Sequence, residues 1–109
     1  MKLVIAIVHS DDADTLVRFL HQKGARSTRI STTGGFLREG NATILIGTEV
    51  AQLEEVLGII RENCHSRTLL VSPLPPVAEA GELYIPRPVE VQVGGAIVFV
   101  LDVERAERF

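Results

Sequence analysis

Lys2-Leu3-Val4-Ile5-Ala6-Ile7-Val8-His9-Ser10-Asp11-Asp12 is the stretch from which the fold is read. Residues 2–8 form a short run rich in β-branched side chains, which makes it a strand. The run is apolar at consecutive positions, the pattern of a strand covered on both faces. Ser10-Asp11-Asp12 then offers a capping oxygen and acidic residues, which suit the positive end of a helix. Leu16, Val17 and Leu20 follow at helical spacing, and Gly24 is a natural stop because it tolerates a left-handed backbone.

Working outward, residues 25–31 read as a second strand. Its period of two places Arg26, Thr28 and Ile30 on one face and Ser27, Arg29 and Ser31 on the other. Ala42 to Gly47 is a third strand, after which Thr48 caps a second helix with Val50, Leu53, Leu57 and Ile60 along one stripe. Gly58 lies inside that helix and costs about 1 kcal/mol relative to alanine. Residues 64–95 carry all five prolines, which break regular pairing. Within them Leu69-Leu70-Val71 reads as a short strand, and residues 89–93 as a small hairpin arm turning at Gly94-Gly95. Ala96 to Val103 is the last strand.

Two helices and four strands in this order predict a single α+β domain over residues 1–109, a ferredoxin-like βαββαβ sandwich with both helices on one sheet face. The other face is then uncovered, although strands 2–8 and 96–103 are apolar on both sides. Another copy of the chain is the economical cover, so the sequence predicts an obligate oligomer with sheets turned inward.

Composition narrows the function. A net charge of −3 argues against bulk attraction to nucleic acid, which needs a basic face. The single cysteine, Cys64, cannot form an internal disulfide, and the six apolar residues before His9 are too few for a signal-peptide core or a membrane span. The expectation is a cytoplasmic protein that does not insert into membranes. His9, His21 and His65 share no ligand-like spacing. Asp11, Asp12 and Asp14 are explained by helix capping, and no serine has a spaced histidine and acid. Neither a Walker A sequence nor a dinucleotide fingerprint is present. Neither catalysis nor a metal site is expected.

A binding site is the better reading. Thr32-Thr33-Gly34-Gly35-Phe36-Leu37-Arg38-Glu39-Gly40-Asn41 is a glycine-rich connection holding a bulky apolar pair. It closes a window, residues 15–38, with no Asp or Glu and with Arg18, Lys23, Arg26, Arg29 and Arg38. The local reading is an anion site beside an apolar clamp. Arg26 and Thr28, two apart on a strand, match a phosphate oxygen pair, or else a solvated strand face. Phe36-Leu37 either grips a flat ligand or staples the loop to its own core. Asn41 either caps the turn or reads a base edge, and Gly47 lets a planar ligand approach the backbone.

The same residues carry a resemblance. The run 32–38, Gly40-Asn41, Leu70-Val71-Ser72-Pro73, Tyr84-Ile85-Pro86, Pro88-Val89-Glu90-Val91, Val93-Gly94-Gly95-Ala96 and Val98-Phe99-Val100 closely resemble the PII-like cyclic-di-AMP receptor family of bacteria. The likeness runs without gaps over essentially the whole chain. It implies a non-catalytic homotrimer that binds cyclic-di-AMP at clefts between subunits and signals to a downstream protein partner. Residues 32–41 correspond to the T-loop and about 65–95 to an enlarged B-loop. It implies that Arg26 and Thr28, with the backbone around Ser27, hold phosphate and ribose oxygens. Gly35, Phe36 and Leu37 would pack over an adenine, Asn41 and the Gly47 backbone would bond an adenine edge, and Phe99 would stand near the pocket wall. Where family members can present Gln near the C-terminus, this chain has Arg108. Two alternatives share the architecture: a nitrogen-regulatory PII sensor of ATP, and a structural or metal-tolerance trimer using His65 and Cys64. The short loop, which lacks a tyrosine, disfavours the first.

Overall fold

The computed structural model describes residues 1–30, 40–71 and 88–109. In chain order the elements are β1 (Lys2–His9), α1 (Ser10–Gln22), β2 (Ser27–Ile30), β3 (Asn41–Thr48), a 3-10 turn (Val50–Gln52), α2 (Leu53–Cys64), β4 (Arg67–Val71), β5 (Val89–Val93) and β6 (Ala96–Asp102). β2, β3, β1 and β6 form one antiparallel sheet in that order, with β1 in the interior, while β4 and β5 pair as a separate two-stranded arm. β3 and β6 flank β1 and β2 lies at the edge beside β3, so the element order and the antiparallel pairing fit the ferredoxin-like fold.

The core lies between one face of this sheet and the two helices. Val4, Ala6 and Val8 of β1 and Ala42, Ile44 and Ile46 of β3 are buried against Ala13, Leu16 and Leu20 of α1 and Val56, Ile59, Ile60 and Cys64 of α2. Full burial of one such leucine or isoleucine contributes about 1.5–3 kcal/mol. Register sends the alternate residues to the opposite face: Leu3, Ile5 and Ile7 on β1, Leu45 on β3, and Ile97, Phe99 and Leu101 on β6. No element among the described residues covers that face, and Ile97 and Phe99 are 61% and 52% exposed.

Several local expectations are corrected. The cap of α1 is His9 rather than Ser10: its Nδ1 accepts from the Asp11 N–H at 3.2 Å, because Ser10 is already helical and donates its own N–H to the Gly40 carbonyl. Thr48 does not cap the second helix. It is the buried last residue of β3, its hydroxyl donates to the Glu49 carbonyl, and a 3-10 turn intervenes before α2. That turn carries Val50 out to solvent and leaves Val56 and Ile59 on the buried stripe. The arm formed by 89–93 pairs with β4, and Gly94-Gly95, at φ +76° and +92°, joins it to β6 rather than folding it onto β6. Gly24, at φ +77°, ends α1 as expected: its N–H donates to the His21 carbonyl and that of Ala25 to Leu20, the paired bonds of a Schellman cap.

Candidate functional site

β2 is shorter than its pattern implied, and this shapes the site. The Ser10 N–H to Gly40 carbonyl bond makes His9↔Asn41 a wide pair of the β1–β3 ladder. Even-numbered residues of β3 therefore bond to β1, and odd-numbered ones, Gly47 included, turn their N–H and C=O toward β2. Yet the β2–β3 ladder ends at Ser27↔Ile46, so the rung that Arg26 and Gly47 would complete is missing. An uncompleted rung leaves backbone polar groups for another partner. A cleft of about 200 Å³ opens there, lined by Arg26 and Gly47 together with Lys23, Glu49, Gln52 and Glu55. Nothing lies within 4 Å of a Cβ built on Gly47, so that glycine is not required by the packing within one copy.

Side-chain direction along β2 follows the expected alternation. Arg29 reaches α1 and holds Asp14 at 2.6 Å, which fixes Ser27 and Arg29 on the helix side and Thr28 and Ile30 on the open face. The acid-free window is thus not a uniform anion site. Arg29 is matched by Asp14 and Lys23 lies 3.9 Å from Glu55, both carboxylates standing outside the window. Arg26 is exposed and has no carboxylate within 4.0 Å among the described residues.

The other anticipated residues are spread across the protomer. Thr28, Leu45, Ile5 and Phe99 form one row across four strands, which puts Thr28 and Phe99 on the same face about 14 Å apart. Asn41 begins β3 and Gly47 lies six residues on, about 20 Å away at the usual strand rise. One protomer therefore does not bring Asn41 and the Gly47 backbone to the same base edge. Asn41 lines a different cleft of about 280 Å³ with His9 and the glycines at the arm's base. Arg108 is exposed, beyond the end of β6. Gly35, Phe36 and Leu37, with most of the anticipated T-loop, lie outside the described residues, as does the anticipated B-loop between 72 and 87.

A model of the cyclic-di-AMP receptor family matches residues 1–109. The chain belongs to the cyclic-di-AMP receptor family. Among solved structures, this family member is similar to the crystal structure of a functionally unknown protein from Pediococcus pentosaceus ATCC 25745. The two share 44% sequence identity over 99% of this chain and 96% of that one, with a TM-score of 0.78.

Reading the sequence of this receptor-family chain passed over one buried group. Asp12, assigned there to helix capping, is buried and forms a two-pronged ion pair with Arg67, with Nη2 to Oδ1 at 3.0 Å and Nη1 to Oδ2 at 3.3 Å. The bond to Asp12 raises the Arg67 pKa further above its ordinary value. Only an arginine 55 residues away distinguishes this aspartate from its neighbours, and no sequence spacing displays that. Cys64 is buried, and the loss of hydration, helped by the nearby Asp12 charge and opposed by Arg67, pushes its thiol pKa up to about 11. Among the described residues, no three His, Cys, Asp or Glu side chains converge on a common point. No helix among them is long and apolar enough to cross a membrane.

Proposed function

We propose that this family member binds cyclic-di-AMP as a non-catalytic sensor, in a homotrimer whose open sheet faces turn inward. The ligand lies at the clefts between subunits. The observation that carries this reading is the division of the candidate residues: Arg26 and Gly47 flank an uncompleted rung at one end of β3, while Asn41 stands about 20 Å away at the other. A second copy closing on the apolar face would join such half-sites and also bury Ile97 and Phe99.

In this arrangement Arg26 neutralises a phosphate, Thr28 adds a hydroxyl, and the open Gly47 backbone takes a base edge. Ordering of the loops around the ligand then changes affinity for a downstream protein partner, as linkage requires. Titration calorimetry of the chain against cyclic-di-AMP, cyclic-di-GMP and ATP tests the reading. Tight binding of cyclic-di-AMP alone is expected. Arg26→Ala is expected to cost about 1.5–3 kcal/mol of that binding, the range for a charged hydrogen bond. Preference for ATP, or unchanged cyclic-di-AMP affinity in a folded Arg26→Ala trimer, would overturn the assignment.

A further inference from the structure

We propose that Asp12 and Arg67 are positioning residues for the Asn41 cleft. Their ion pair clasps the base of the β4–β5 arm against the first turn of α1 and fixes the wall that faces Asn41. The inference rests on the cyclic-di-AMP reading above and adds residues that do not themselves touch the ligand.

Four observations converge on the clasp. The Asp12 side chain is only 9% exposed, so its charge depends on the Arg67 guanidinium for compensation. Asp12 sits at the third position of α1, where an acidic side chain ordinarily reaches back to its own cap; here it accepts from β4 instead. Gly94 is forced at this spot, since an added Cβ would stand 2.7 Å from both Arg67 Nη1 and the His65 carbonyl oxygen. Above the ion pair, Ser66 Oγ donates to Gln92 Oε1 at 2.8 Å and Gln92 Nε2 donates to Thr68 Oγ1 at 3.1 Å, so both strands of the arm move as one unit.

The same turn of α1 also holds the other side of the cleft. Ser10 donates its N–H to the Gly40 carbonyl at 2.6 Å, and His9 pairs with Asn41 across the β1–β3 ladder. Ser66, Gly94 and Gly95 face Asn41 and His9 across the cleft of about 280 Å³. A two-stranded ribbon is marginal alone, and here Leu69 and Leu70 are 47% and 69% exposed, so packing on the core does little to hold the arm. Among the described residues, Asp12 is the one core side chain that hydrogen-bonds the arm's side chains. Opening the clasp therefore moves one wall of the cleft while leaving Asn41 in its strand.

The test is a double-mutant cycle by calorimetry with cyclic-di-AMP on the assembled full chain: wild type, Asp12→Asn, Asn41→Ala and the double variant. Asp12→Asn is expected to weaken binding about 5- to 150-fold, the usual span of coupling between sites. In the Asn41→Ala background it should add less than about twofold, because residues acting through one another are not additive. Amide exchange across 67–71 and 89–93 should quicken in Asp12→Asn, with β1 and β3 unchanged. Arg67→Gln, whose side chain is more exposed, repeats the cycle if Asp12→Asn does not fold. Wild-type affinity in the clasp variants, or a loss fully additive with Asn41→Ala, would overturn the clasp while leaving the ligand reading intact. Failure of the wild type to bind cyclic-di-AMP would instead overturn the ligand reading.

Discussion

Replacing Gly94 by alanine tests the geometry of the arm's base with few assumptions. At φ +76° an L-residue is held in the left-handed region, which costs about 1–2 kcal/mol. The new Cβ would also lie 2.7 Å from the His65 carbonyl oxygen and 2.7 Å from Arg67 Nη1. The guanidinium is the group that can move, but moving it surrenders its bonds to Asp12. Arg67 is 38% exposed, so water replaces part of what those bonds supply. The backbone cost alone therefore sets a loss of about 1–2 kcal/mol, to which the displaced ion pair adds. The arm can open without unfolding the core, so part of the loss is capped by the arm's own opening free energy. The assay therefore pairs guanidinium unfolding at fixed protein concentration with amide exchange across β4 and β5. Gly58→Ala is the internal comparison. An added Cβ there meets nothing within 4 Å, so the better helix former should stabilise the chain by about 0.5–1 kcal/mol. Equal effects from the two substitutions, or a Gly94→Ala chain within about 0.5 kcal/mol of wild type by both readouts, would refute the steric argument.

Two further outcomes follow from the open face and the buried thiol. Phe99→Asp places a charge in the row of Ile5 and Leu45, and sedimentation equilibrium should show the proposed trimer replaced by smaller species; a variant that sediments as a trimer at micromolar concentration would show that this face is not the interface. Cys64 should label slowly with a thiol reagent in the folded protein at pH 7. Its folded pKa of about 11 lies above the ordinary thiol value of 9.0, so the folded state keeps the full benefit of the neutral thiol below about pH 9. That contribution is lost as pH rises from about 9 through 11, where the unfolded chain ionises first. A stability that is flat across this window in wild type, and identical to that of Cys64→Ala, would count against the assigned burial.

The repeating features of the fold were legible in the sequence because they are local. β1 and β3 come within one residue of their apolar runs, since unbroken, β-branched stretches such as Val4-Ile5-Ala6-Ile7 and Ile44-Leu45-Ile46 mark a strand by composition alone. Gly24 was recognisable as a stop because its positive φ is a property of the residue itself. The starts of the helices were less legible. The cap of α1 depends on where Gly40 meets Ser10, and the 3-10 turn before α2 depends on how Thr48 leaves the sheet. The partner of β5 was also hidden, because residues 67–71 are more than fifteen positions away from it and nothing in their composition states a register.

The candidate site divides in the same way. The types at Arg26, Thr28, Asn41 and Gly47 could be read as a binding set from chemistry and strand period alone. Their spacing in three dimensions could not. A six-residue step along an extended strand holds Asn41 and Gly47 apart, and two intervening strands, β3 and β1, separate Thr28 from Phe99. Sequence alone determined the element order, the apolar faces and the membership of the family's pattern, because each is carried by neighbouring residues or by periodicity along the chain. Only the tertiary structure decided that β2 stops one rung short of Gly47, that Asp14 claims Arg29, and that Asp12 reaches across to Arg67. Those outcomes depend on distances between segments remote in the chain, where a hydrogen bond made or missed turns on a few tenths of an ångström.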